Sequence, residues 1–184
     1  MGPLRKPSAS TSVARLGSGQ TGIATPEPEL HPKKVMVSVW WNSSGIVHWE
    51  LLPNGHTITA ELYCQQLDRV AANLMGGLHP VYFLHDNSRP HTARLTRAKL
   101  VELGWVTLNH PPYFPDLAPT DYHLFRSLSH HLNGKVYDDE EELEFDLANF
   151  FAEKPLNFYE RGIISLPLRW QEVINANGDY IADS

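Results

Sequence analysis

The chain has 184 residues, 42% of them hydrophobic and 20% charged, with a formal net charge of −6. That suits one ordinary folded domain and excludes both a disordered chain and a strongly basic nucleic-acid-coating protein, because neutralising phosphates takes clustered Lys and Arg. The single cysteine, Cys64, excludes an intramolecular disulfide and a CxxC-type zinc site, and no apolar run approaches the length needed to cross a bilayer.

Residues 1–30 read as a disordered or poorly packed tail, rich in Ser, Thr, Gly and Pro and without apolar periodicity. Its start, "MGPLRKPSAS", lacks the apolar stretch of a secretory signal. The folded domain is expected over 31–184. "VMVSVWW" (35–41) and "IVHWELL" (46–52) are strand-like runs joined by the turn "NSSG", which predicts an antiparallel hairpin. "TITAELYCQQLDRVAANL" follows with Tyr63, Leu67, Val70 and Leu74 at helical spacing, stopped by Gly76 and Gly77. "VYFL" (81–84) reads as a central strand. "HTARLTRAKLVELG" reads as a helix with Leu95, Ala98 and Leu103 on one side, and "WVTLN" (105–109) as a strand parallel to "VYFL" through a βαβ crossover. After the stiff loop "HPPYFPDLAP", "TDYHLFRSLSHHLNG" predicts a helix capped by Thr120, with a Phe125, Leu128, Leu132 stripe. "DDEEELEFD" (138–146) holds seven acids, without which the net charge would be +1; it reads as a helix N-terminus, where carboxylates meet the positive end of the dipole. Leu143, Leu147, Phe150 and Phe151 then form a helical stripe, and the remainder reads as two short helices broken at Pro167. Together these elements predict an α/β fold, a mixed sheet flanked by helices.

Two acids stand out by position. Asp86 ends the strand "VYFL", and Asp121 opens the helix beyond the next strand, so both are directed to the carboxyl edge of the sheet, where ligand sites form in α/β folds. Carboxylates gathered there either raise a pKa or recruit a hard cation such as Mg²⁺ or Mn²⁺. Two such ions about 4 Å apart can activate a water and stabilise the leaving oxygen in phosphodiester cleavage. Asp86 also reads as a simple Asx-turn residue and Asp121 as a helix-start charge. Arg89, Arg94, Arg97 and Lys99 are candidate phosphate contacts on the helix after Asp86, although a solvated face explains them equally. The ten histidines, Trp40, Trp41 and Cys64 read mainly as packing or surface residues.

The motifs "HDN", "HPPY", "PDLAPTDYHLF", "FY-RGI" and "LP-RW", in this order and over nearly everything after residue 18, closely resemble the mariner branch of the Tc1/mariner transposases. The 34 residues between Asp86 and Asp121 match that branch's spacing. The chain is likewise similar to the mariner-derived half of SET–mariner fusion proteins, and nothing in it resembles a SET domain. The resemblance implies an RNase H-like (DDE/D-type) core, a two-ion Mg²⁺ or Mn²⁺ site and metal-dependent DNA cleavage and strand transfer. Asp86 and Asp121 then match the second and third catalytic acids and metal ligands. It further implies transposon-end DNA as partner, a homodimer and a nuclear location, with neither membrane nor small-molecule cofactor.

The sequence departs from the family in one decisive place. The first catalytic Asp of the family lies in a Gly-Asp-Glu segment on the first, central strand, and this chain has no such segment; its acids before Asp86 are Glu27, Glu29, Glu50, Glu61 and Asp68. The family's N-terminal helix-turn-helix region is also absent, and Asn42 stands where the family usually has Asp. Without the first strand, two sheet edges would lack partners, so the hairpin shifts, an upstream segment substitutes, or strands swap. Four functions follow: a transposase-derived domain inactive or impaired for lack of its first acid; a residual nuclease in which Glu50 or Asn42 substitutes; a non-catalytic nucleic-acid-binding or oligomerisation module; or a relic without a selected role.

Overall fold

The computed structural model describes residues 8–15, 34–53, 55–74, 80–111 and 114–176. A three-stranded antiparallel sheet is built from β1 (Ser8–Arg15), β2 (Lys34–Asn42) and β3 (Gly45–Leu52), in the order β1-β2-β3. β4 (Tyr82–Phe83) and β5 (Val106–Thr107) form a separate parallel pair. The βαβ crossover between them is therefore as expected, but the hydrogen-bonded ladder is in two pieces.

β1 lies within residues 1–30, the stretch that reads as a tail, and fits the expectation that an upstream segment substitutes. Ser8 to Arg15 pair antiparallel with Trp41 to Lys34, so an upstream segment occupies the edge of β2 that a missing first strand would leave bare. The physical reason is the cost of an unpaired buried strand edge: any extended segment able to exchange backbone hydrogen bonds is preferable to none. "SASTSVAR" is mostly small and polar residues with one Val, too weak a pattern to read as a strand alone. The backbone of β1 runs beside the segment Thr120–Phe125.

β2 organises the core because its side chains alternate between two buried faces. Val35, Val37, Val39 and Trp41 pack with Leu124, Phe125 and Leu128 and with the later helices through Leu143, Leu147, Phe150, Tyr159 and Ile163. Trp40, on the other face, packs with Tyr63, Leu67 and Val70 of α1 (Ala60–Asn73), and with Phe83 and Leu100. Both tryptophans are core residues, as expected. The β2–β3 turn is closed by Asn42, whose Oδ1 accepts from the Ser44 amide at 2.7 Å, and by Gly45 at φ +128°, a backbone state that side chains rarely adopt.

The helix after Asp86 comes in two pieces, α2 (Arg89–Thr92) and α3 (Arg94–Glu102). The break at Ala93 changes the phase. Thr96 and Leu100 face inward and Leu95 is exposed, which corrects the face expected from Leu95 and Ala98. Thr120 is no N-cap: the helix starts at Pro119, runs as a π-helical segment over Thr120–Phe125 and continues as α4 (Arg126–Leu132). α5 (Glu140–Glu153) is capped by Asp139, which accepts from the Glu142 amide at 2.8 Å, so the acidic run is a helix start as expected. α6 (Leu156–Asn175) continues through Pro167, against the expected break. Pro167 lies on the exposed side, while Tyr159, Gly162, Ile163 and Leu166 anchor the helix on its buried side. The Gly76–Gly77 stop lies outside the described residues.

Candidate metal and nucleic-acid site

Asp86 lies just past β4, after Leu84 and His85, and its carboxylate is held from two sides. Oδ1 accepts from the Ser88 amide at 2.9 Å, an Asx turn that starts α2. The same Oδ1 meets His91 Nδ1 at 2.5 Å; His91 is 2% exposed and Asp86 39%. Burial tends to raise the Asp86 pKa, but the bond and positive charge of His91 and the Ser88 N–H outweigh it and hold the carboxyl well below the usual carboxylate range. Asp86 is thus kept ionised, with both hydrogen bonds on one oxygen. The Asx-turn and ligand readings of Asp86 are compatible, since ligating carboxylates are themselves hydrogen-bonded.

His91, which lies near the acids in sequence and reads there as a packing or surface residue, is the side-chain partner of Asp86. His91 stacks on His85 (ring centroids 5.3 Å apart) and lies 4.1 Å from the Tyr63 ring. The Tyr63 hydroxyl reaches His85 Nδ1 at 3.2 Å. Burial and the His91 charge push the His85 pKa down to about 4, so His85 is neutral at physiological pH. Asn87 Nδ2 donates to the His110 carbonyl at 2.7 Å, tying the loop after β4 to the loop after β5.

Asp121 lies in the first turn of the π-helical segment and is partly buried. Its placement depends on Thr120, whose Oγ1 accepts a buried bond from Trp41 Nε1 of β2 at 3.1 Å. His123, two residues on, points away into packing: Nε2 meets the Phe158 carbonyl at 2.8 Å and the ring stacks on Trp41. Gly162 of "FY-RGI" makes that packing possible, since a Cβ there would stand 2.5 Å from His123 Cδ2 and 2.6 Å from Trp41 Cη2.

The two residues weighed as substitutes for a first acid are committed elsewhere. Glu50 accepts from Gln66 Nε2 at 2.6 Å and Arg69 Nη1 at 2.7 Å and pairs with His48, while Asn42 closes the hairpin turn. Of the cations on α2 and α3, Arg89, Arg94 and Arg97 are exposed, whereas Lys99 pairs with Asp68 at 3.2 Å and Glu102 at 3.1 Å. Among the described residues no group of three or more His, Cys, Asp or Glu side chains is placed to hold a metal ion. Asp86 and Asp121 are carboxylates, the oxygen donors that hard cations take.

Helices on both faces of β2, a parallel β4–β5 pair and an ionised Asp at the end of β4 define an RNase H-like α/β core. A family model described as "Transposase (partial DDE domain)" matches residues 15–77. Human histone-lysine N-methyltransferase SETMAR is 43% identical over 162 residues, 84% of this chain and 24% of that protein. The Mariner Mos1 transposase of Drosophila mauritiana is 41% identical over 170 residues, 89% and 49% of the two chains. The Mos1 transposase catalytic domain, solved with Raltegravir and Mn, superposes with a TM-score of 0.85 at 36% identity, covering 96% of this chain and 84% of that one. A Mos1 paired-end complex with left transposon end matches with a TM-score of 0.85 at 37% identity, covering 96% and 56%. The chain belongs to the mariner transposases, to whose catalytic domain it corresponds. It spans half or less of the length of the curated relatives it matches.

Proposed function

We propose that this chain is a mariner transposase-derived domain that binds nucleic acid and a divalent cation, with strand cleavage lost or severely impaired. The observation that carries the reading is Asp86, held ionised at the end of β4 by His91 and the Ser88 amide. Asp86 and Asp121 are the residues that would hold Mg²⁺ or Mn²⁺. A cation there would supply Lewis-acid polarisation of a phosphodiester oxygen. His91 and Ser88 orient the Asp86 carboxylate, and the Trp41–Thr120 bond positions the helix that carries Asp121.

Impairment is supported by the strand paired with β2. β1 has no Asp or Glu, and Glu50 and Asn42, the two substitutes, are bound into other contacts. A cleavage site needs ligands on both sides of the scissile phosphate, and this chain offers two acids of the family's three. The Mos1 complex with a transposon end supports DNA as partner, and the nucleus is the compartment this reading implies.

The test is calorimetric titration of the purified chain with Mn²⁺, beside Asp86→Ala and Glu50→Gln. Saturable binding lost in Asp86→Ala and kept in Glu50→Gln is the expected result. Loss in Glu50→Gln as well would restore the residual-nuclease reading. No binding by the parent chain would leave a non-catalytic binding module, the second reading, which the acid-free β1 favours.

A further inference from the structure

We infer that Tyr63 of α1 is a positioning residue for Asp86: its ring seats His91, its hydroxyl fixes His85, and the two imidazoles together hold the Asp86 carboxylate in one orientation. The inference rests on the cation-binding reading above and deepens it, placing part of the support of Asp86 on a helix that precedes β4 in the chain.

Tyr63 is 1% exposed, in a core made with Trp40, Leu67, Val70, Phe83 and Leu100. That core fixes its ring. The ring centre lies 4.1 Å from that of His91 and 6.1 Å from that of His85, and the two imidazoles stack on each other 5.3 Å apart with 13° between their planes. Three rings pack mutually, and one of them, His91, carries the bond to Asp86 Oδ1. The backbone before His91 is braced as well. Thr96 of α3, fully buried, donates from Oγ1 to the Pro90 carbonyl at 2.5 Å. With α2 tied there, the Tyr63 face is the surface against which the His91 ring is set.

The hydrogen bonds also place the ring protons. The Tyr63 hydroxyl is bonded to His85 Nδ1 at 3.2 Å. Were Nδ1 the donor, the hydroxyl proton would be buried without an acceptor among the described residues, the costlier arrangement. The hydroxyl therefore donates, Nδ1 accepts, and His85 carries its proton on Nε2. His91 is the reverse: it faces a carboxylate oxygen that can only accept, so its Nδ1 donates. Asp86 Oδ2 takes neither the His91 bond nor the Ser88 bond, which leaves it as the oxygen available to a cation. Outer partners of this kind orient a ligating carboxylate and set its affinity for the metal.

The test is nitrogen-15 NMR of the imidazoles together with Mn²⁺ calorimetry on the parent chain, Tyr63→Phe, Tyr63→Leu and Val70→Ala, each checked by thermal melting. Val70 packs in the same core about two turns further along α1 and controls for simple loss of packing. In the parent chain the proton of His85 is expected on Nε2 and that of His91 on Nδ1. Tyr63→Leu, which loses both contacts, should displace these protons and weaken Mn²⁺ binding about tenfold, the low end of what outer partners of a metal ligand contribute. Tyr63→Phe keeps the ring, so it should mix the His85 tautomers and bind Mn²⁺ with intermediate affinity. Val70→Ala should match the parent in both readouts. A folded Tyr63→Leu that binds Mn²⁺ like the parent overturns the role, and so does a Val70→Ala that loses as much as Tyr63→Leu. If Tyr63→Leu does not fold, Tyr63→Phe decides: mixed His85 tautomers support the inference, and a proton still wholly on Nε2 overturns it. A parent chain that binds no Mn²⁺ overturns the cation-binding reading instead. The ring protons then decide alone: displaced by the Tyr63 substitutions they support the positioning, and unmoved they overturn it.

Discussion

His91 Nδ1 stands 2.5 Å from Asp86 Oδ1, and the pair couples a buried ring to the acid at the end of β4. The folded-state pKa of Asp86 is depressed, so its contribution to stability is present above the ordinary Asp value of about 4 and is lost as pH falls through the lower folded value. Thermal melts from roughly pH 5 down to pH 2 should show the gap between the parent chain and Asp86→Asn closing with acidification. The effect is expected to be modest, because a carboxylate 39% exposed is partly screened by water. A gap that stays constant over that range would contradict the assignment.

His85 should titrate with the opposite chemistry and the same sign. Its folded pKa is pushed down to about 4, so the neutral ring contributes stability above the unfolded value of about 6.5 that is lost as pH falls towards 4. In an NMR titration the His85 ring protons should stay at their neutral shifts through pH 6, where ordinary histidines are already moving. His85→Gln should flatten the stability loss over that window. A His85 midpoint near 6.5 would mean that the ring is not buried against His91 and Tyr63.

Gly162→Ala tests the packing of α6. In an exposed helix interior Ala is better than Gly by about 1 kcal/mol. Here the added Cβ would stand 2.5 Å from His123 Cδ2 and 2.6 Å from Trp41 Cη2, both on rigid rings. The substitution should therefore destabilise, by about 1–3 kcal/mol, the usual cost of overpacking a filled core. Chemical denaturation with an unchanged m-value would measure it, and stabilisation would show that α6 does not pack here.

Thr120→Val separates position from charge. It keeps the shape of the side chain but removes the oxygen that accepts from Trp41 Nε1, leaving a buried indole N–H at a cost of about 1–3 kcal/mol. Mn²⁺ affinity should also fall, although the substituted side chain would touch no cation, because the helix carrying Asp121 loses its hydrogen-bonded tie to β2. Stability loss with unchanged Mn²⁺ affinity would show that Asp121 is not positioned by this bond.

Much of the fold was legible because local pattern and burial agree. The alternation of "VMVSVWW" placed Trp40 and Trp41 on opposite faces of a strand, and the stripes of α1 and α5 marked their buried sides. Asp86 could be singled out because a charge one residue beyond a short apolar run is anomalous. The misses occurred where long-range contacts overrode local signals. "SASTSVAR" is a strand only because β2 offers an edge, and α6 passes Pro167 only because its far side is anchored in the core. Leu95 faces out because the chain restarts its helix at Ala93, which no periodicity announces.

The sequence by itself determined the α/β class, the order of elements, the Asp86–Asp121 spacing and the lack of any acid before Glu27, because these depend on residue type and spacing along the chain. Only the tertiary structure decided that His91 holds Asp86, that Trp41 anchors Thr120, that Glu50 is bound by Gln66 and Arg69, and that the Arg169 guanidinium lies over Tyr122. Apart from the short step from Asp86 to His91, those partners are 16 to 79 residues apart. Their meeting is a property of packing, where burial favours polar groups that find a partner.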